Sequence, residues 1–319
     1  EMYTKKFARE IDPEKEIVVT CGGTEAMMAA MMTVCNPGDK VAVFSPFYEN
    51  YGADAILSGA DPIYIPLVPP DFYYDRAVLE QAFRDGAKAL ILCNPSNPCG
   101  KVFTMEEMEE IAELAKRYDA FVITDEVYEY IIYGENRHIS MAALPGMYER
   151  TITCSSLSKT YSMTGWRVGY AAGNAALIKG MTSLQGHTTS NTCSIAQYAA
   201  LEAISGPQDS VESMRVEFDK RRKFLVERLN SMDGITCNNA DGAFYLMPNM
   251  TAFYDKEWNG KKIADSFGMA DYLLAEAKIA VVPGGAFESP DNIRIAYSNS
   301  MESLIEGMNR MEAALKKLG

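Results

Sequence analysis

Histidine is scarce in this chain. His138 and His187 are the only two in 319 residues, and they stand far apart. With so few imidazoles there is no histidine spacing on which a zinc site could be built, and no metal centre is expected. Positive charge is also short: 30 Lys and Arg stand against 43 Asp and Glu, a formal net charge of −13. Nucleic acid and anionic membrane surfaces want basic patches, so neither is an expected partner. An anionic small molecule stays admissible, because a few local arginines make a positive pocket even in an acidic protein. No apolar run is long enough to cross a bilayer. Cysteine pairs are missing too. The seven cysteines (Cys21, Cys35, Cys93, Cys99, Cys154, Cys193, Cys237) are odd in number and form no C-x-x-C spacing. That pattern suits reduced thiols in a cytoplasmic protein better than a disulfide framework.

What is present is an ordinary globular balance, 48% hydrophobic and 23% charged, in a chain long enough for two domains. It is organised around one stretch. Thr151 to Cys154 reads as a short buried strand, followed by Ser155-Ser156-Leu157-Ser158-Lys159-Thr160-Tyr161 and then Gly165-Trp166-Arg167. Hydroxyls and a guanidinium on either side of a lysine are what a phosphate monoester beside a reactive amine needs. Lys159, if desolvated and close to another cation, would have a depressed pKa and could form an imine with an aldehyde. The cofactor that carries both a phosphate and an aldehyde is pyridoxal 5′-phosphate. The competing reading of the same residues is a Ser/Thr-rich loop with a solvated lysine.

From Ile17 to Ala172, apolar strand patterns alternate with helical ones, as in a largely parallel sheet covered on both faces. Ile17 to Thr20 runs into Cys21-Gly22-Gly23-Thr24 and a helix from Ala26 to Val34, an anion site if the backbone N–H groups face a ligand and a tight turn if they do not. Lys40 to Phe44 ends in Ser45-Pro46-Phe47-Tyr48, where Tyr48 either stacks on a flat ring or simply packs. The apolar strand Ala89 to Cys93 stops at Asn94-Pro95-Ser96-Asn97-Pro98-Cys99-Gly100, a loop stiff enough to hold the Asn97 amide in one place. Thr104 and Glu107 form a capping box. Ala120 to Thr124 presents Asp125-Glu126-Val127-Tyr128, with Asp125 as a helix cap or a partner for a buried cation.

A break at Ser205-Gly206-Pro207 precedes a long amphipathic helix from Gln208 to Met232. Smaller α+β patterns follow: strands at Gly242 to Met247, Ile279 to Val282 and Asn292 to Tyr297, a helix near Ile263 to Ala277, and a last helix from Met301 to Lys317 capped by Ser300. Arg294 interrupts the apolar strand Ile293 to Tyr297. It lies either on a solvent-facing edge strand or toward a cleft.

Taken in chain order, Gly22-Gly23-Thr24-Glu25-Ala26, Pro46-Phe47-Tyr48, the double Asn-Pro loop, Asp125-Glu126-Val127-Tyr128, Ser156-Leu157-Ser158-Lys159 with Gly165-Trp166-Arg167, and Arg294-Ile295-Ala296-Tyr297 closely resemble the class I/II aminotransferases of fold type I, which depend on pyridoxal phosphate. The resemblance runs from about Ile17 to the C-terminus. It implies an α/β fold: a three-layer α/β/α large domain with a mainly parallel sheet over residues 1–206, and a smaller α+β C-terminal domain over 207–319.

The same resemblance implies roles. Lys159 matches the Schiff-base lysine that shuttles a proton between the substrate Cα and the cofactor, and Asp125 matches the partner of the ring nitrogen. Tyr128 and Asn97 match the pair that binds the ring's phenolic oxygen, and Tyr48 matches the stacking aromatic. Gly23, Thr24, Ser156, Ser158 and Arg167 match the phosphate cup. Arg294, helped by Asn97, matches the clamp on the substrate α-carboxylate. The implied activity is ping-pong transfer of an amino group from an L-amino acid to a 2-oxo acid by a homodimer. Two other outcomes are open on the same scaffold: a lyase such as a carbon–sulfur β-lyase, or a non-catalytic regulatory domain that binds pyridoxal phosphate. The chain begins where family members already have several dozen residues behind them, so it is expected to lack their N-terminal arm. Thr24 stands where some aspartate-specific members carry a lysine.

Overall fold

A computed structural model describes residues 2–318 of the chain. Its first element is the short helix α1 (Met2–Lys6), followed by β1 (Ile17–Thr20) and α2 (Gly23–Val34). Next come β2 (Lys40–Ser45), α3 (Asn50–Leu57), β3 (Asp61–Val68), β4 (Tyr73–Tyr74), α4 (Arg76–Arg84) and β5 (Ala87–Cys93). The first half closes with α5 (Met105–Arg117), β6 (Phe121–Asp125), β7 (Thr151–Ser156), α6 (Leu157–Thr160), β8 (Gly169–Ala172), α7 (Ala175–Thr188) and α8 (Ser194–Ser205).

The eight strands form one sheet in the order β1-β8-β7-β6-β5-β2-β3-β4. The middle five, β7, β6, β5, β2 and β3, are parallel, while β8, β1 and β4 join antiparallel at the two ends. Buried parallel strands must be apolar on both faces, and alternate residues go to opposite sides. Thus Ile91, Ile123, Val41 and Val43 join the core under α2 and α7, while Leu90, Leu92, Val122 and Ala42 join the core under α4 and α5. The capping box opens α5 as expected: the Thr104 side chain accepts from the Glu107 N–H, and the Glu107 carboxylate accepts from the Thr104 N–H. Because the middle strands are parallel, the residues just past β2, β5, β6 and β7 emerge along one edge of the sheet. Ligand sites of open α/β sheets form at that edge.

The remainder comprises α9 (Asp209–Asn230), β9 (Tyr245–Leu246), the hairpin β10 (Glu257–Trp258) and β11 (Lys261–Lys262), α10 (Ser266–Tyr272), β12 (Val282–Pro283), β13 (Ile293–Ala296) and α11 (Met301–Leu315). Its apolar core also takes in Val127, Tyr128, Ile131 and Tyr133 from the segment after β6, which ties that turn to the C-terminal elements.

Several elements are smaller than the periodicity suggests. The strand expected over Gly242 to Met247 shrinks to Tyr245–Leu246, because Ala243 is left-handed at φ 58° and cannot continue an extended strand. The helix expected near Ile263 starts at Ser266, where the Asp265 side chain accepts from the Phe267 and Gly268 N–H groups. It ends in a π-turn over Leu273–Ala277. Lys278 is left-handed there (φ 56°), and the Ile279 N–H returns to the Leu273 carbonyl, so the following strand is confined to Val282–Pro283. The short helix α3, which carries Tyr51, has no counterpart in the sequence reading.

Candidate active site

Lys159 sits on a single helical turn. Ser156 caps it, its hydroxyl accepting from the Ser158 N–H at 3.3 Å, and the left-handed Ser162 (φ 53°) prevents the turn from growing into a helix. A lysine on so short an element, directly after a buried strand, is fixed at the sheet edge. Its Nζ lies 5.7 Å from the centre of the Phe244 ring. Burial pushes the Lys159 ammonium below its ordinary pKa; Arg294 and Arg167 push the same way, and Asp125 opposes them. A lysine in this setting spends more of its time as a free amine.

The loop after β1 brings Gly22 and Gly23 against Ser156 and Arg167. Gly22 has φ 83°, and a Cβ built on it would lie 2.4 Å from Arg167 Nη2. A Cβ on Gly23 would lie 3.6 Å from Ser156 Oγ. Glycine at position 22 is therefore what lets the guanidinium reach this loop. Arg167 is itself left-handed at φ 51°, and its Nη1 donates to the Thr164 carbonyl at 2.9 Å. Non-glycine residues held there cluster at functional sites. Backbone N–H groups of a helix start, two serines and one arginine thus meet at one end of the cavity.

Asp125, the last residue of β6, lines the same cavity. Its Oδ2 accepts from the Tyr51 hydroxyl at 2.7 Å and its Oδ1 from the Val127 N–H at 3.2 Å. Burial pushes its carboxyl up, against those two donors that hold it down. Of the two sequence readings of Asp125, the helix cap is set aside: three residues on, Tyr128 still lies in a turn. The turn itself is anchored by Glu126, which is buried and accepts from Lys6 Nζ at 2.5 Å, Ser140 Oγ at 2.8 Å and Thr124 Oγ1 at 3.1 Å, and pairs with His138 Nε2 at 2.9 Å. Burial works against the Glu126 charge, but Lys6 and His138 hold its carboxyl well below the usual range. Glu126, Glu129 and His138 are also the one group among the described residues close enough to hold a metal ion, and the Lys6 ammonium already bonds both carboxylates.

Tyr128 shares a hydrogen bond with Tyr245, oxygen to oxygen 2.8 Å. Arg294 lies on β13, the central strand of the sheet β12-β13-β9, with Ile293 and Ile295 buried on either side. The edge-strand alternative for Arg294 is thereby excluded. Its guanidinium stands 4.7 Å from the centres of the Tyr245 and Phe287 rings. Nη1 donates to Asn97 Oδ1 at 2.9 Å, and Nε is buried without a partner.

These pieces enclose a cavity of about 300 Å³, at the lower end of the size typical of small-molecule sites. Every residue singled out from the sequence lines it: Gly23, Thr24, Tyr48, Asn97, Asp125, Tyr128, Ser156, Ser158, Lys159, Arg167 and Arg294. Seven residues that sequence reasoning missed line it as well, among them Tyr51, Asp54, Thr164 and Tyr245. Tyr245 was legible only as part of the apolar run Gly242 to Met247, and Tyr51 lies on α3, which no sequence signal marked. The donor set fits pyridoxal phosphate. An anion cradle that a Cβ at Gly22 would fill, a buried carboxylate for a basic ring nitrogen and an amine of lowered pKa line the same cavity. The unpartnered Arg294 Nε adds a donor for a carboxylate.

Comparison with known proteins gives the same direction throughout. The family described as "Aminotransferase class I and II" matches residues 2–310. An aspartate aminotransferase of Geobacillus stearothermophilus is 39% identical over 98% of this chain and 79% of its own length. An aspartate/prephenate aminotransferase of Cereibacter sphaeroides is 38% identical over 97% and 79%. Among solved structures, an aromatic aminotransferase of Pyrococcus horikoshii superposes with a TM-score of 0.92 at 37% identity, covering 99% of this chain and 84% of that one.

Proposed function

This chain belongs to the class I and II aminotransferases, and from that premise we propose how its residues divide the work of a pyridoxal-phosphate-dependent transaminase. The observation that carries the assignment is the grouping of Lys159, Asp125, Arg167 and Arg294 around one cavity. The reaction moves an amino group from an L-amino acid to a 2-oxo acid in two half-reactions, one acid leaving before the other binds.

Gly23, Thr24, Ser156, Ser158 and Arg167 would hold the cofactor phosphate through backbone N–H groups, hydroxyls and the guanidinium. Asp125 would hold the protonated ring nitrogen, Tyr128 and Asn97 the phenolic oxygen, and Tyr48 one ring face. Lys159 would hold the cofactor's aldehyde carbon through Nζ. When bound, the cofactor supplies an electron-withdrawing ring that accepts the pair left at the substrate Cα.

Arg294 fixes the substrate through its α-carboxylate, with Asn97 bracing the guanidinium. That orientation decides which bond at Cα is aligned for cleavage and favours loss of the proton over loss of the carboxylate. The free Lys159 amine would take the proton from the substrate Cα and hold it at Nζ for return. Its lowered pKa suits a base that must be unprotonated to begin. Steady-state kinetics test the reading: varying L-amino acid and 2-oxo acid together should give parallel double-reciprocal lines, and continued turnover beyond one product per bound cofactor without any 2-oxo acid acceptor would overturn it in favour of a lyase.

A homodimer is part of the same proposal. Ile195, Tyr198 and Leu201 lie three residues apart on one face of α8 and are 73%, 77% and 62% exposed, an apolar stripe suited to burial against a second copy. Light scattering that found only monomer would contradict it. A cytoplasmic location is proposed from the cysteines, all seven of which are free. No helix among the described residues is long and apolar enough to cross a membrane. A division into a cofactor-binding domain over 1–206 and a small domain over 207–319 is proposed from the break before α9.

A further inference from the structure

Asp54 is a carboxyl that the chemistry described so far does not use. It lies on α3, one turn after Tyr51, and only 3% of it is exposed. It lines the same cavity as Tyr51 and Asp125, and its Oδ2 is buried with no hydrogen-bond partner. Buried carboxyls are normally paired, and each unsatisfied polar atom in a folded protein calls for an explanation. The groups around Asp54 account for this. Asp125 on β6 is a carboxylate and the largest charge beside it; Tyr51 on α3 spends its hydroxyl on Asp125. Tyr48 and the buried Cys154 thiol on β7 also lie near enough to interact with it electrostatically, and α2 faces the cavity with Met27. None of these supplies a cation. Burial, and then the charge on Asp125, push the Asp54 carboxyl up to about 7.

We propose that Asp54 is a positioning residue at the ring-nitrogen end of the cofactor site: it holds a proton beside Asp125 while the site is empty and gives it up when a protonated ring nitrogen binds. The proposal rests on the pyridoxal-phosphate reading of the cavity. Its physics is that of two carboxyls sharing one site. Both cannot be charged without a cation between or beside them, so one keeps a proton. Asp125, with two donors on its oxygens, is the one that ionises, and Asp54, with an oxygen lacking a partner, is the one that stays neutral. A ring cation held by Asp125 reverses the balance and favours the Asp54 anion, which then adds a second negative charge near the nitrogen. No bond to Asp54 forms or breaks except that of the proton, which leaves to solvent.

The sign of the pH effect follows. Binding lowers the Asp54 pKa from its value of about 7 in the empty site. Cofactor affinity therefore rises with pH up to that value and flattens above it. Asn at this position is neutral throughout and lacks this rise.

The test uses the full chain stripped of cofactor and titrated with pyridoxal 5′-phosphate, wild type against Asp54→Asn, with affinity measured between about pH 5.5 and about pH 8. Thermal melting of both proteins checks that the fold is kept, and Asp54→Ser serves as the second variant if the first melts early. The expected result is equal affinity at the acid end and a wild-type advantage of roughly tenfold at the alkaline end, one pKa unit of coupling. Calorimetry in two buffers of different ionisation enthalpy should also show proton release near neutral pH that is greater for wild type than for the variant. Parallel affinity profiles in the two proteins would overturn the role of Asp54 while leaving the cofactor site intact. Absence of binding in both would overturn the cofactor reading and this inference with it.

Discussion

Arg294 and Asn97, 197 positions apart in sequence, meet across the cavity, Nη1 donating to Oδ1 at 2.9 Å. One comes from the central strand of the C-terminal sheet and the other from the rigid loop after β5, so the two halves of the chain close on each other at the site proposed for the substrate carboxylate. The guanidinium is held in place by Asn97 and by the rings of Tyr245 and Phe287 before any substrate arrives.

Arg294→Lys keeps the charge but loses the planar fork that makes two parallel bonds to a carboxylate. We expect KM for the amino acid to rise by roughly 10- to 100-fold, the loss of one or two charge-assisted hydrogen bonds, with a smaller change in cofactor affinity. Equal losses in the two affinities would mean that Arg294 acts on the fold rather than on the substrate.

Gly22→Ala places a methyl carbon 2.4 Å from the present position of Arg167 Nη2, at a backbone angle that side chains rarely adopt. The arginine must move. Affinity for pyridoxal 5′-phosphate should fall by about tenfold or more, while affinity for the phosphate-free aldehyde, pyridoxal, should change little. Titrating the variant with both ligands checks this.

Tyr51→Phe removes one of the two donors that hold the Asp125 carboxyl down against burial. The Asp125 pKa should rise further, so the carboxylate becomes neutral at a higher pH. The acid-side loss of cofactor affinity should shift upward by roughly half to one pH unit, the worth of one hydrogen bond. An unshifted profile would show that the Tyr51 bond does not tune Asp125.

Lys159 gives a prediction on both rate and stability. Below its lowered pKa the amine is protonated and cannot accept the Cα proton, so the rate falls on the acid side. Lys159→Arg stays protonated and should lose about a thousandfold or more in rate. In the cofactor-free protein, a lysine with a folded pKa below its unfolded one makes the unfolded state bind more protons, so stability rises with pH through that window. Lys159→Met should flatten this rise in melting temperature, which thermal scans across pH will show.

Much of the site was legible because each of its parts sits where a strand ends. Asn97, Asp125 and Ser156 follow or close apolar runs paired in parallel, and Gly23 follows β1, which runs the same way because both it and β7 pair antiparallel with β8, so all four emerge at one edge of the sheet. Arg294 was legible as a charge inside an apolar strand, although its central place in the sheet needed the partner strands. What the sequence hid depended on relations between elements. Tyr51 and Asp54 reach the cavity only because α3 is a helix of eight residues in a particular register, and its sequence carries no capping signal to announce it. Tyr245 looked like one core residue among several until the left-handed Ala243 turned the chain and brought its hydroxyl to Tyr128. The Lys6–Glu126 bond joins positions too far apart for any local pattern to reveal.

The most direct test of the central claim is a single half-reaction. The purified protein, loaded with pyridoxal 5′-phosphate, is mixed with one L-amino acid at a time and no 2-oxo acid, and both the visible spectrum of the cofactor and the 2-oxo acid released are measured. We expect some of the amino acids to bleach the visible band and release one 2-oxo acid per bound cofactor, after which the reaction stops until an acceptor is added. Continued product without an acceptor, or a spectrum that no amino acid changes, would contradict the assignment.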